Sequence, residues 1–137
     1  VFLAKDARAP DVNTARPFIY DTGLAPASAG AALAAIGVLR EHPELPARLH
    51  ANAARIADAC GVEVPDGAVM SVPMPAPHET VEAVDHAQAL GVRVDAFRPP
   101  STPDGSSRLR ITAHAHHTTH DLERACAVLG ELVPART

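Results

Sequence analysis

Apolar side chains recur along this chain at two different periods. From Pro26 to about Arg40, Ala29, Leu33, Ile36 and Leu39 return every three or four residues, the spacing of one helix face. Pro26 suits the first turn, where its missing N–H is not needed, and Pro43 ends the run. The stripe Leu45, Leu49, Ala53, Ile56 and Cys60 is cleaner still. It predicts a second helix near Glu44 to Cys60, closed by Gly61 as a left-handed cap. His78 to Leu90 reads as a weaker third helix, with Val81, Val84 and Ala87 inward and Gly91 as its cap. Thr118-x-x-Asp121 is a capping-box pattern. It opens a last helix whose inward residues are Leu122, Ala125, Cys126, Leu129 and Leu132.

Between these helices the period drops to two. Ala68 to Val72 is a short apolar run that predicts a strand, and Pro73, Pro75 and Pro77 predict a stiff connector after it. Val92 to Arg98 alternates, with Val92, Val94 and Ala96 on one face and Arg93, Asp95 and Phe97 on the other. Arg108 to Thr112 alternates again, opposing Leu109 and Ile111 to Arg108 and Arg110. The order is helix, helix, strand, helix, strand, strand, helix. That order predicts an α+β fold, a small antiparallel or mixed sheet with helices on one face. Residues 1–14 are expected to be a remnant or linker, and residues 15–137 one domain.

Composition narrows the function classes. With 137 residues, 47% hydrophobic and 20% charged, the chain is globular in composition and long enough for one domain. No apolar run approaches the roughly 20 residues that cross a bilayer. A net charge of −4 gives no electrostatic footprint for nucleic acid. Cys60 and Cys126 both fall on apolar helix faces, which predicts buried thiols and no disulfide framework. The start Val1-Phe2-Leu3-Ala4-Lys5-Asp6 lacks the features of a signal peptide, so a cytoplasmic setting is expected. It also lacks an initiator Met, and a piece of a longer protein is expected.

Three stretches carry candidate chemistry. His114, His116, His117 and His120 form the densest polar group. Imidazoles suit Zn, Cu or Ni, but no His pair at i, i+4 with an intervening Glu stands here and Asp121 is the only adjacent carboxylate. The ordinary reading, a solvated loop before the last helix, is the one expected, with no metal. Asp21-Thr22-Gly23 lies just before a helix start, where backbone N–H groups can cradle phosphate. The motif is too short to be specific, and plain helix entry is the reading it favours.

The third stretch, Arg98 to Arg110, is the most informative. Pro99, Pro100 and Pro103 restrict the loop, and Asp104-Gly105 is a turn dipeptide. Arg98, Arg108 and Arg110 fall within it, with few acidic partners nearby in sequence. An arginine on a strand presents a planar fork that receives a carboxylate through two parallel hydrogen bonds. Arg108 and Arg110 read more readily as exposed edge-strand charges, and from spacing alone anion binding is the lesser of the two readings.

Ala15-Arg16-Pro17-Phe18-Ile19-Tyr20-Asp21-Thr22-Gly23-Leu24-Ala25-Pro26, with Phe97-Arg98-Pro99-Pro100 running on to Arg108-Leu109-Arg110-Ile111-Thr112, resembles the 8-amino-7-oxononanoate synthases. These belong to the pyridoxal-phosphate-dependent α-oxoamine synthases. The resemblance runs from about Asn13 to the last helix and corresponds to the C-terminal part of that family. Glycine-using relatives, such as 2-amino-3-ketobutyrate CoA ligase, generally lack the Arg-Pro-Pro run, though another α-oxoamine synthase is the alternative within the family.

The resemblance implies a fold-type-I, aminotransferase-like homodimer whose large domain holds pyridoxal phosphate. The implied reaction is decarboxylative condensation of L-alanine with pimeloyl-CoA or a pimeloyl-carrier protein, in biotin biosynthesis. It implies that Arg110 binds the amino-acid carboxylate and that Arg98 sits at the substrate entrance. Ser101 stands where the family usually has Thr and keeps the hydroxyl, while Thr102 replaces a usual Val. Thr22 falls in the segment that in the family reaches the cofactor phosphate of the partner subunit. The histidine group corresponds to a variable junction.

The chemistry needs a lysine amine to hold the cofactor. Lys5 is the one lysine, ten positions before Ala15 in the context Phe-Leu-Ala-Lys-Asp. Neither that spacing nor that context matches the family's lysine. No catalytic residue is therefore expected in this chain, which is read as the small domain, inactive when alone. The competing reading is a non-catalytic binding module of the same fold, taking a metal at His114 to His120.

Overall fold

The structure is a computed structural model that describes residues 25–133. The expected boundary between residues 14 and 15 lies outside these, as do Lys5, Thr22 and most of the Ala15 to Pro26 motif. The chain divides into one unit ending at Glu41 and a second beginning at His42.

In the first unit, α1 spans Pro26–Glu41, as its periodicity predicts. None of its residues is buried, and the stripe residues Leu33, Ile36 and Leu39 are all exposed.

The second unit contains α2 (Leu45–Ala59), β1 (Val69–Met74), α3 (Pro77–Ala89), β2 (Asp95–Phe97), β3 (Ser107–Thr112) and α4 (Thr119–Leu132). The three strands form an antiparallel sheet in the order β1-β3-β2. Alternation sets its two faces. Met70, Val72, Leu109 and Ile111 point into the core, where they meet Ala53, Ile56 and Ala57 of α2, Ala83 and Ala87 of α3, and Leu122, Val128 and Leu129 of α4. The α+β expectation with helices on one face holds. Four of these helical core residues are alanines, so little side-chain bulk separates α2 and α3 from their neighbours. Larger aliphatic groups supply most of the buried area, about 1.5–3 kcal/mol for each fully buried Leu or Val. Leu109, Leu129 and Val72 are the largest apolar examples.

Several local features differ from the expectation. β1 continues through Pro73 to Met74 instead of stopping at Val72. It is an edge strand, where a missing backbone donor is tolerated. Pro77 is no part of a connector; it opens α3 at a position that needs no N–H. The inward face of α3 is Thr80, Ala83 and Ala87, while Val81 is exposed. Thr80 can be buried because its hydroxyl donates to the Ala76 carbonyl at 2.8 Å. β2 is only three residues long, since pairing with β3 runs only from Asp95 to Phe97. The glycine caps are as expected, with Gly61 at φ +61° and Gly91 at φ +76°.

Cys60 is buried and Cys126 partly buried, and neither forms a disulfide. Burial, with Cys126 nearby, pushes the Cys60 thiol up to about 11.

Candidate functional site

The β3 register places Leu109 and Ile111 in the core and thereby turns Arg108 and Arg110 to the opposite face. On that face Asp95 of β2 stands directly across from Arg110. A terminal guanidinium nitrogen of Arg110 donates to the Asp95 carboxylate at 2.8 Å. Phe97, two residues further along β2 and on the same face, lies under the guanidinium, with 4.9 Å between its ring centre and Cζ. The pair is half-exposed, at 47% for Arg110 and 53% for Asp95. Such a pair adds little to stability, so its main consequence is where it holds the cation.

Arg110 borders a groove of about 490 Å³. Arg93, Asp95, His117, Asp121 and Arg124 also line it, together with buried apolar residues such as Ile56 and Leu129. The guanidinium itself stands on the sheet face away from these core residues, where a planar cation is suited to receiving a carboxylate.

The rest of the hairpin is built differently. The Ser101 N–H donates to the Arg98 carbonyl at 2.9 Å, and the Pro99–Pro100 peptide is cis. Arg98 and Ser101 are exposed and do not line the groove. Thr102 is buried, with its hydroxyl donating to the Ser106 carbonyl at 2.7 Å, so it locks the loop. The Asp104 carboxylate accepts from the Ser106 N–H at 3.2 Å and the Ser106 hydroxyl at 2.8 Å. It also pairs with Arg108. These contacts, those from Ser106 foremost, hold the Asp104 carboxyl below its ordinary value.

Arg108 and Arg110 thus each have an acidic partner, against the sequence expectation. Strand pairing brings Asp95 to Arg110 across fifteen positions, and the Asp104-Gly105 turn brings Asp104 back to Arg108. Asp95 and Phe97 are the functional neighbours that reading the hairpin loop alone overlooks. Their signal was the polar face of β2, on which both fall by alternation.

His114, His116 and His117 gather with ring centres 5.2 to 5.5 Å apart. Asn52 of α2 ties this segment down by donating to the His114 carbonyl at 2.9 Å. Desolvation lowers the His117 pKa, and the imidazoles of His114 and His116 add to that effect. Among the described residues no group of three or more His, Cys, Asp or Glu is arranged to hold a metal ion. The metal-module alternative therefore finds no support. Thr118 and Asp121 form the expected capping box at the start of α4.

The described residues contain no lysine. They offer no amine for a Schiff base, so they do not by themselves fit a covalently held pyridoxal phosphate. No described helix is long and apolar enough to cross a membrane.

Residues 12–129 match the family of class I and II aminotransferases. An 8-amino-7-oxononanoate synthase from Mycobacterium sp. (strain JLS) is 46% identical over 125 residues, covering 90% of this chain and 33% of the relative. The chain thus spans about a third of the length of the curated relatives it matches. Among solved structures, serine palmitoyltransferase from S. paucimobilis with a bound pyridoxal phosphate–myriocin aldimine superposes with a TM-score of 0.71 at 25% identity, covering 85% of this chain and 31% of that one. An 8-amino-7-oxononanoate synthase from Francisella tularensis shares the fold at a TM-score of 0.64 and 23% identity, covering 88% of this chain and 36% of that one.

Proposed function

Because the chain belongs to the class I and II aminotransferase family, we propose that residues 15–137 form the C-terminal small domain of an 8-amino-7-oxononanoate synthase. In this reading the complete enzyme condenses L-alanine with a pimeloyl thioester, with loss of carbon dioxide. It works in the cytoplasm as a homodimer. The observation that carries the reading is Arg110, a forked cation raised on the exposed face of β3 and held by two β2 side chains. The 46% identity to a synthase of that name supports the choice of reaction.

Arg110 receives the amino-acid carboxylate through the N–H donors that Asp95 leaves unused. One edge of the fork is enough for two parallel hydrogen bonds. Arg98 and Ser101, exposed and outside the groove of this domain, are assigned to the substrate entrance on the family resemblance alone. Thr22, outside the described residues, is assigned to the partner subunit's cofactor phosphate on the family resemblance alone. Pyridoxal phosphate, when bound, supplies the electron sink of the reaction. Its lysine lies outside the described residues, and this domain contributes substrate recognition only.

The test is a fusion of this chain to the cofactor-bearing N-terminal portion of the Mycobacterium relative, in place of that relative's own C-terminal third. The fusion is expected to form product from L-alanine and pimeloyl-CoA, and the chain alone to form none. A soluble fusion that binds pyridoxal phosphate but ignores L-alanine would refute the proposal.

A further inference from the structure

Resting on the assignment of Arg110 as carboxylate receptor, we propose that Asp95 is a positioning residue for it. In this proposal β2 sets the affinity of the site for its amino acid. β2 has three residues, and two of them, Asp95 and Phe97, are directed at Arg110. Asp95 lies directly across the β2–β3 ladder and takes one terminal nitrogen, which fixes the guanidinium in its plane. Phe97 lies against the face of the guanidinium and fixes its tilt. Ala96, between them, sits on the opposite face of the strand.

Among the described residues no other strand supplies this hold. On the far side of β3, Ser71 of β1 is the residue opposite Arg110, and its hydroxyl makes no hydrogen bond to it. Arg108 does not compete for Asp95, because Asp104 and Ser106 occupy it. An unrestrained arginine must give up rotamer freedom when a carboxylate arrives, and a restrained one has given up much of it beforehand. Asp95 also opposes Arg110 in charge, which acts against anion binding. Both groups are half-exposed, so that opposition is screened by water and the geometric effect prevails.

The substitutions Asp95→Ala and Asp95→Asn separate the two effects in the fused enzyme. Asp95→Ala is expected to raise KM for L-alanine about three- to tenfold with kcat little changed, the cost of one newly ordered side chain. Asp95→Asn keeps an acceptor for Arg110 and is expected to recover most of that loss. An unchanged or lowered KM in Asp95→Ala overturns the proposal. Arg110→Ala, run alongside, tests the underlying reading: if it too leaves KM unchanged, the receptor assignment fails, not merely its positioning. A second readout uses the 137-residue chain alone. Side-chain 15N relaxation at Arg110 Nε is expected to be restricted in the parent and in Asp95→Asn, and mobile in Asp95→Ala. Equal mobility in all three also overturns the proposal.

Discussion

Arg124 on α4 closes the C-terminal end of α3 by donating to the Leu90 carbonyl from Nε at 3.0 Å and from a terminal nitrogen at 2.6 Å. That bond crosses between helices and satisfies a carbonyl that α3 itself leaves without a partner. It also depends on the next residue. At Gly91, with φ +76°, an added Cβ would stand 2.5 Å from the terminal nitrogen of Arg124.

Gly91→Ala should therefore cost more than Gly61→Ala. Both place a side chain in the left-handed region, at about 1–2 kcal/mol. Gly61 has open space where the methyl would go, whereas at Gly91 the guanidinium must move and lose its hold on Leu90. The excess is expected to be about 1 kcal/mol by urea denaturation and to vanish when Arg124→Ala is already present. Equal costs at the two glycines would show that Arg124 moves aside without loss.

Thr118→Ala removes the side-chain oxygen that accepts from the Asp121 N–H at 3.1 Å. A loss of about 1 kcal/mol is expected, with Thr118→Ser close to the parent. The same box gives an acid signature. Hydrogen bonds from Thr118 hold the Asp121 carboxyl below its ordinary value. Its contribution is present above the ordinary carboxylate value and is lost as pH falls through the lowered one. Asp121→Asn should flatten that part of the acid titration.

The histidine group predicts a second dependence on pH. His117 binds protons less readily when folded than its ordinary value of 6.5. The unfolded chain therefore takes up more protons, and stability rises with pH. The contribution is complete above 6.5 and is lost as pH falls toward the lowered value. Denaturation midpoints measured between about pH 5 and about pH 8 should show the rise, and His117→Gln should reduce it. An identical slope in the variant would place the effect elsewhere.

Neighbouring residues on β3 should respond oppositely to truncation. Leu109 is fully buried, and Leu109→Ala is expected to cost about 2–5 kcal/mol. Arg110 faces the other way, and Arg110→Ala should stay within about 1 kcal/mol of the parent. Chemical denaturation of the two variants checks this directly.

Much of this arrangement was legible in the residues themselves. The α2 stripe, the two glycine caps, the capping box and the Leu109–Arg110 alternation all follow from local chemistry, and each is present. What escaped depends on neighbours. Pro73 belongs to a strand because β1 is an edge strand among the described residues, and Thr80 belongs to the core because the Ala76 carbonyl accepts its hydroxyl hydrogen bond. The site divides in the same way. Arg110 stood out as a forked cation on a strand, but its partner Asp95 is fifteen residues away and becomes visible only through the β2–β3 register. Thr102 stands where the family usually has Val, and its hydroxyl is committed inside the loop.

Arg110 is the point on which the functional account turns, and steady-state kinetics of Arg110→Ala in the fused enzyme test it most directly. Loss of one partner of a hydrogen-bonded charge pair is expected to lower kcat/KM for L-alanine by roughly 30- to 5,000-fold, the equivalent of about 2 to 5 kcal/mol, with cofactor binding unchanged. Alanine kinetics equal to those of the parent fusion would contradict the account.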